Sequence, residues 1–263
     1  MRVATPALAI YLMAGDDLPA QAEAAVRGGA TLIEIGIPFS DPLADGPTIQ
    51  RAARAALDAG VTPRSALEAV RATRERIGPD VPLVPMTYAA IVERYGLEPF
   101  CRDAAAAGVE GLIVPDIPPE ESVELREAGA AHGVDLVHLV SLTSRDDRID
   151  LACRSSRGFL YVVAAIGTTG ARERLDVERL ATLLARVRER AGDLPVLCGF
   201  GVSRPEQVAA LRAAGADGVA VGSAARYPPA EGATATRAPG RRARPRGRAR
   251  TARAPARRPA RAP

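Results

Sequence analysis

No lysine occurs among the 263 residues, so all 35 Lys or Arg side chains are arginine. A Schiff-base aldolase needs a lysine amine as its nucleophile, and that route is closed. Any carbon–carbon cleavage by this chain has to proceed by proton transfer or on a metal. Cysteine is scarce: Cys101, Cys153 and Cys198 are an odd number, widely spaced, with no CxxC pair. That argues against a disulfide framework or a zinc site and fits a reducing cytoplasm. No run approaches the roughly 20 apolar residues of a membrane span. The opening MRVATPALAIYLMAG has one arginine and a short apolar stretch, then Asp16-Asp17 with no small-residue cleavage site. It reads as a first strand, not as a signal peptide.

A basic face is missing from most of the chain. Twelve arginines lie from Ala224 onward, where Glu231 is the single acid; the first 223 residues hold 23 arginines against 30 acids. The net charge of +4 is therefore the sum of an acidic body and a basic tail. The body has no surface suited to nucleic acid. The tail is almost wholly Ala, Arg, Pro and Gly. Proline at that density breaks helices and little apolar surface is available to bury, so residues 225–263 are read as a disordered, low-complexity segment. It is a solvated tail or a terminus altered by a frame shift; the alternative is a basic arm for nucleic acid or another acidic partner. Tyr227 is the one aromatic side chain beside its twelve arginines, which favours the first account.

What remains is a body with the size and rhythm of a (β/α)₈ barrel. Hydrophobic residues make up 47% of the chain, enough for one sizeable core. Short β-branched runs at 8–14, 32–37, 83–88, 111–114, 136–140, 159–164, 196–198 and 218–221 predict strands. Amphipathic stretches at 19–27, 63–77, 98–107, 120–132, 177–190 and 205–214 predict helices between them. A phrase recurs at the helix-to-strand joints: GGATLI at 28–33, AGVEGLI at 107–113, HGVDLV at 132–137 and AGADGV at 214–219. Glycine there closes a helix in the left-handed region. Strand–helix alternation implies parallel strands, and eight strands favour a TIM barrel over an open sheet. Only about six residues precede the first strand, and nothing after Ser223 resembles a closing helix, so the barrel is expected to lack both terminal helices.

The richest stretch is IEIGIPFSDPLADGPT at 33–48. Strand alternation puts Glu34 on the face opposite Ile33 and Ile35. If the isoleucines meet helices, Glu34 points into the barrel, where burial raises its pKa and makes it a proton carrier near neutral pH. A glutamate held by a neighbouring arginine is the alternative. Asp41 and Asp45 follow on the C-terminal side of the strand, where barrel enzymes build their sites. A metal cluster of Glu34, Asp41 and Asp45 is conceivable, but no nearby histidine supports it. Glycines then recur after successive strands: Gly167-Thr168-Thr169-Gly170, Gly199-Phe200-Gly201 and Gly222-Ser223. Their backbone N–H groups, with a helix start at Ser223, suit a phosphate.

The string EIGIPFSDPLADGPTIQ resembles the signature of the tryptophan synthase alpha chain family. YLMAGD, MTY, VPDIPPEES, YVVAAIGTTGAR, GFGVS and VGSA follow the family's order over about residues 7–224. The resemblance implies a lyase that cleaves indole-3-glycerol phosphate to indole and glyceraldehyde 3-phosphate. It carries the catalytic glutamate to Glu34, the catalytic aspartate to Asp45 and a substrate-lining tyrosine to Tyr161. Tyr11 and Phe200 become walls of the indole pocket; Thr169, Gly170, Gly201, Gly222 and Ser223 fall to the phosphate. Asp41 and Pro42 face a beta subunit in an alpha2-beta2 tetramer serving tryptophan synthesis. No cofactor or metal is implied for this chain; pyridoxal phosphate belongs to the family's beta subunit. Some positions depart from the family. Ala89-Ala90-Ile91 stands where an Asn-Pro pair is usual, Val140-Ser141-Leu142-Thr143 replaces an Ala-Pro-Thr pattern, and Asp17 replaces a proline. A stand-alone indole-producing lyase and a catalytically idle, partner-binding scaffold therefore stay beside the working alpha subunit as readings.

Overall fold

The computed structural model describes residues 1–43, 45–164, 176–199, 201–202 and 204–222. The eight β-branched runs all become strands, one of them in two pieces: β1 (Ala7–Met13), β2 (Leu32–Gly36), β3 (Leu83–Met86), β4 (Gly111–Ile113), β5 (Asp135–Val137), β6 (Leu139–Ser141), β7 (Leu160–Val163), β8 (Val196–Gly199) and β9 (Gly218–Val221). The described helices are α1 (Leu18–Arg27), α2 (Pro47–Asp58), α3 (Pro63–Ile77), α4 (Ala89–Tyr95), α5 (Leu97–Ala106), α6 (Val123–Ala131), α7 (Asp146–Ser155), α8 (Val177–Ala191) and α9 (Pro205–Ala213).

Every strand pair is parallel, in the order β5-β4-β3-β2-β1-β9-β8-β7-β6. The two ends of that order are consecutive halves of the expected fifth strand. They part at His138, whose N–H donates to Ser156 Oγ at 3.0 Å instead of joining a strand ladder. β5 holds β4 and β6 holds β7, so the sheet closes through this one interrupted strand. The result is the expected eight-staved barrel.

Parallel strands with helical crossovers bury both faces, and the residues sort accordingly. Ile33, Ile35, Leu83 and Leu112 pack outward with Leu67, Val70 and Phe100 of the helices. Leu32, Val84, Met86, Ile113, Val137, Tyr161, Leu197 and Ala220 fill the inside with Ala7 and Ala9. Fully burying one such Leu, Ile or Val side chain stabilises by roughly 1.5–3 kcal/mol before conformational entropy is counted. On the floor of the barrel Met1 and Val3 pack against this inner set. The Met1 side chain lies where a Cβ on Gly111 or Gly158 would stand. The residues before β1 thus reach the floor of the barrel. The closing helix after β9, the helix start at Ser223 and the tail at 225–263 lie outside the described residues.

Local chemistry sets the helix ends. Pro47, Pro63 and Pro205 open α2, α3 and α9, where a missing N–H removes nothing from the helix. Thr62 and Ser65 form a reciprocal capping box on α3. Gly29, Gly108, Gly133 and Gly215 all have positive φ at the predicted joints. Gly108 is pinned further: Arg74 donates to its carbonyl at 2.9 Å, to those of Gly78 and Val81, and to Glu110 Oε1 at 2.8 Å. No described helix is long and apolar enough to cross a membrane.

Candidate active site

Register brings the site together. Tyr11 of β1, Glu34 of β2 and Val84 of β3 are Cα partners across the sheet, so their side chains share the inner face. Glu34 is 1% exposed. Its Oε1 has no hydrogen-bond partner among the described residues, and no arginine pairs with it there. Burial alone pushes its carboxyl from 4.5 to about 8, so Glu34 holds a proton at neutral pH.

Asp45 arrives from the loop before α2. Its backbone oxygen accepts from Gln50 Nε2 at 2.8 Å, which ties it to the first turn of that helix. Its carboxylate is 7% exposed and accepts from the Tyr88 hydroxyl at 3.2 Å. Burial raises the Asp45 pKa and the Tyr88 hydrogen bond opposes that rise. Tyr88, to which the sequence alone gives no role, stands just beyond β3 with its ring tilted on Phe39 at 5.2 Å.

Two glycines make room for two phenols. A Cβ on Gly36 would sit 1.9 Å from the Tyr11 hydroxyl, and one on Gly199 would sit 1.9 Å from the Tyr161 hydroxyl. Gly199 of β8 thus makes room for the Tyr161 hydroxyl. Burial raises both phenol pKa values well above the usual range, and Glu34 adds to each rise.

Tyr11, Glu34, Asp45, Tyr161, Gly201 and Gly222 line one hollow, together with Ile49, Met86, Ala220 and Val221. Asp41 goes elsewhere: it accepts from Ser40 Oγ at 2.5 Å and lines an outer groove with Pro42, Leu43 and Arg54. Thr169, Gly170, Phe200 and Ser223 lie outside the described residues. Among the described residues, no group of three metal-ligating side chains converges.

A parallel barrel with a proton-holding carboxyl, a second buried acid and glycines at one mouth defines an acid–base enzyme of the (β/α)₈ class. The model of the tryptophan synthase alpha chain family matches residues 2–227. A tryptophan synthase alpha chain from Halorhodospira halophila is 48% identical over 222 residues, covering 83% of this chain and 80% of the relative. One from Methanosarcina mazei is 48% identical over 223 residues, with 83% and 79% covered. Among solved structures, tryptophan synthase of Mycobacterium tuberculosis superposes with a TM-score of 0.76 at 41% identity, over 84% of each chain. The alpha subunit from Legionella pneumophila gives 0.73 at 33% identity, over 83% and 80%. The chain belongs to the tryptophan synthase alpha chain family. Its activity is that family's: a lyase that cleaves indole-3-glycerol phosphate to indole and glyceraldehyde 3-phosphate.

Proposed function

We propose that Glu34 moves the protons and Asp45 holds the ring charge in this cleavage. The observation that carries the reading is Glu34 itself, a buried carboxylic acid with an unpartnered Oε1 facing the same hollow as Asp45. Protonated Glu34 delivers its proton to C3 of the indole ring, and the ring nitrogen becomes positively charged. Asp45, as carboxylate, accepts the ring N–H and stabilises that charge. Glu34, now ionised, takes the proton from the hydroxyl on the adjoining side-chain carbon. The C–C bond breaks, its electrons restore the neutral indole ring, and the former carbinol leaves as an aldehyde. Glu34 ends protonated, as it began. Such proton transfer contributes on the order of 10²–10⁴ in rate.

Tyr161 and Tyr11 flank the substrate, with Phe200 as a further wall. Gly201 and Gly222, with Thr169, Gly170 and Ser223, receive the phosphate through backbone N–H groups. The ring serves as its own electron sink once protonated, so the reaction asks no cofactor or metal of this chain. The lyase domain is residues 1–224, in the cytoplasm, and 225–263 takes no part in the chemistry. Asp41 and Pro42 meet a beta subunit that receives the indole in an alpha2-beta2 assembly. The neighbouring Leu43, 78% exposed, offers that partner an apolar handle. Indole release from indole-3-glycerol phosphate, measured with and without a beta subunit, tests the reading. Release strengthened by the partner supports it. Full release alone would support a stand-alone lyase, and none from folded protein would leave an idle scaffold.

A further inference from the structure

Asp45 lies on a connecting loop, and an acid on a loop needs something else to aim it. Its carboxylate is met by Tyr88, so its aim depends on what fixes Tyr88. The residue is the N-cap of α4, with an extended backbone and no capping hydrogen bond from its own side chain. The first turn of that helix also has no acid. Ala89-Ala90-Ile91, which opens the helix, holds no residue that stiffens or caps a turn. The cap comes from another segment. The Ala89 N–H donates to Asp116, with distances of 3.0 and 3.2 Å to its two carboxylate oxygens. Asp116 stands on the loop between β4 and α6. The strand end beneath is tied to the same neighbour, because Thr87 N–H donates to the Ile113 carbonyl at 3.0 Å. Above the turn the Tyr88 ring is 4% exposed and rests on Phe39, a residue of the loop that carries Asp45.

We propose that Asp116 and Tyr88 are positioning residues for Asp45: Asp116 fixes the turn at Ala89, and Tyr88 on that turn holds the Asp45 carboxylate toward the hollow. The proposal rests on the reading of Asp45 above. It joins the loop after β4 to the site through one cap and one side-chain hydrogen bond. Asp116 never touches the hollow; its carboxylate lies on an exposed face. The titratable groups sharing the hollow with Asp45 are Glu34, Tyr11 and Tyr161. None of them is altered by a change at Asp116. The Tyr88 hydrogen bond holds the Asp45 carboxyl below where burial alone would put it, so a loosened Tyr88 should let it rise.

The full chain, labelled with ¹³C at aspartate carboxyls, gives the test, the Asp45 signal being assigned by its loss in Asp45→Asn. In Tyr88→Phe and in Asp116→Ala the Asp45 titration should move upward. Turnover should drop about tenfold, with KM changed less than about twofold. Asp116→Asn keeps an oxygen for the Ala89 N–H and should stay close to the unaltered chain. The double variant Tyr88→Phe with Asp116→Ala should move no further than Tyr88→Phe alone, since both act through one contact. An unshifted Asp45 in Asp116→Ala, or shifts that simply add, would overturn the proposal. Turnover retained in Asp45→Asn would remove Asp45 from the reaction instead, while the titration still judges the positioning by itself.

Discussion

Replacing Glu34 by glutamine should stabilise the fold. The buried carboxyl is held near 8, against 4.5 in the unfolded chain. Between those values the folded chain keeps a proton that the unfolded chain releases. Below about pH 4.5 both states are protonated and nothing is lost. Stability falls as pH climbs toward about 8 and levels off above it, where both states are ionised. The fall is about 1.4 kcal/mol for each pH unit climbed inside that window, so the loss at neutral pH is on the order of 3 kcal/mol. Glutamine keeps the shape and cannot ionise, so the variant escapes this loss. Urea denaturation of the two proteins at about pH 5, 7 and 8.5 reads the difference directly. The gap should be small at the lowest pH, widen through neutrality and flatten at the highest. A gap independent of pH, or a variant weaker than the parent at the highest pH, would refute burial as the cause.

The pH profile of kcat/KM should be bell-shaped: the basic limb falls above about 8 as Glu34 loses its proton, and the acid limb falls as Asp45, raised by burial, gains one. A profile flat through pH 8 would contradict the acid role of Glu34. Gly36→Ala drives a methyl group into the Tyr11 hydroxyl; it should destabilise by about 1–3 kcal/mol and raise KM, and unchanged melting together with unchanged KM would refute the seat. Arg74→Ala removes the clamp between α3 and the Gly108 turn. It should destabilise by about 2–3 kcal/mol with kcat unaltered, because the clamp lies at the opposite end of the barrel from the hollow; a large fall in kcat without unfolding would contradict that.

The barrel is legible because short apolar runs alternate with amphipathic stretches and four glycine joints repeat along the chain. Glu34 is legible from the pleat: with isoleucines on either side, its direction follows once they are known to meet helices. The interruption at His138 is not, because it depends on Ser156, 18 residues away, competing for one backbone N–H. The helices α2, α4 and α7 are hidden for different reasons. Pro47 suggests a stiff loop where it in fact opens α2. α4 has only seven residues, too few for a clear periodic stripe. In α7 acids and arginines outnumber the buried positions. Asp41 and Asp45 look alike in sequence, four residues apart in one loop. Only the turn into α2 separates an acid facing the hollow from an acid on the outer groove. Tyr88 and Gly36 carry no local sign, since each acquires its role from a side chain on another strand or loop.

If the proton on Glu34 does the chemistry, indole release under single turnover depends on it. The unaltered chain should release indole from indole-3-glycerol phosphate. Glu34→Gln should bind that phosphate ester with about the same Kd and release none. Comparable release from both proteins would mean that the proton comes from another group.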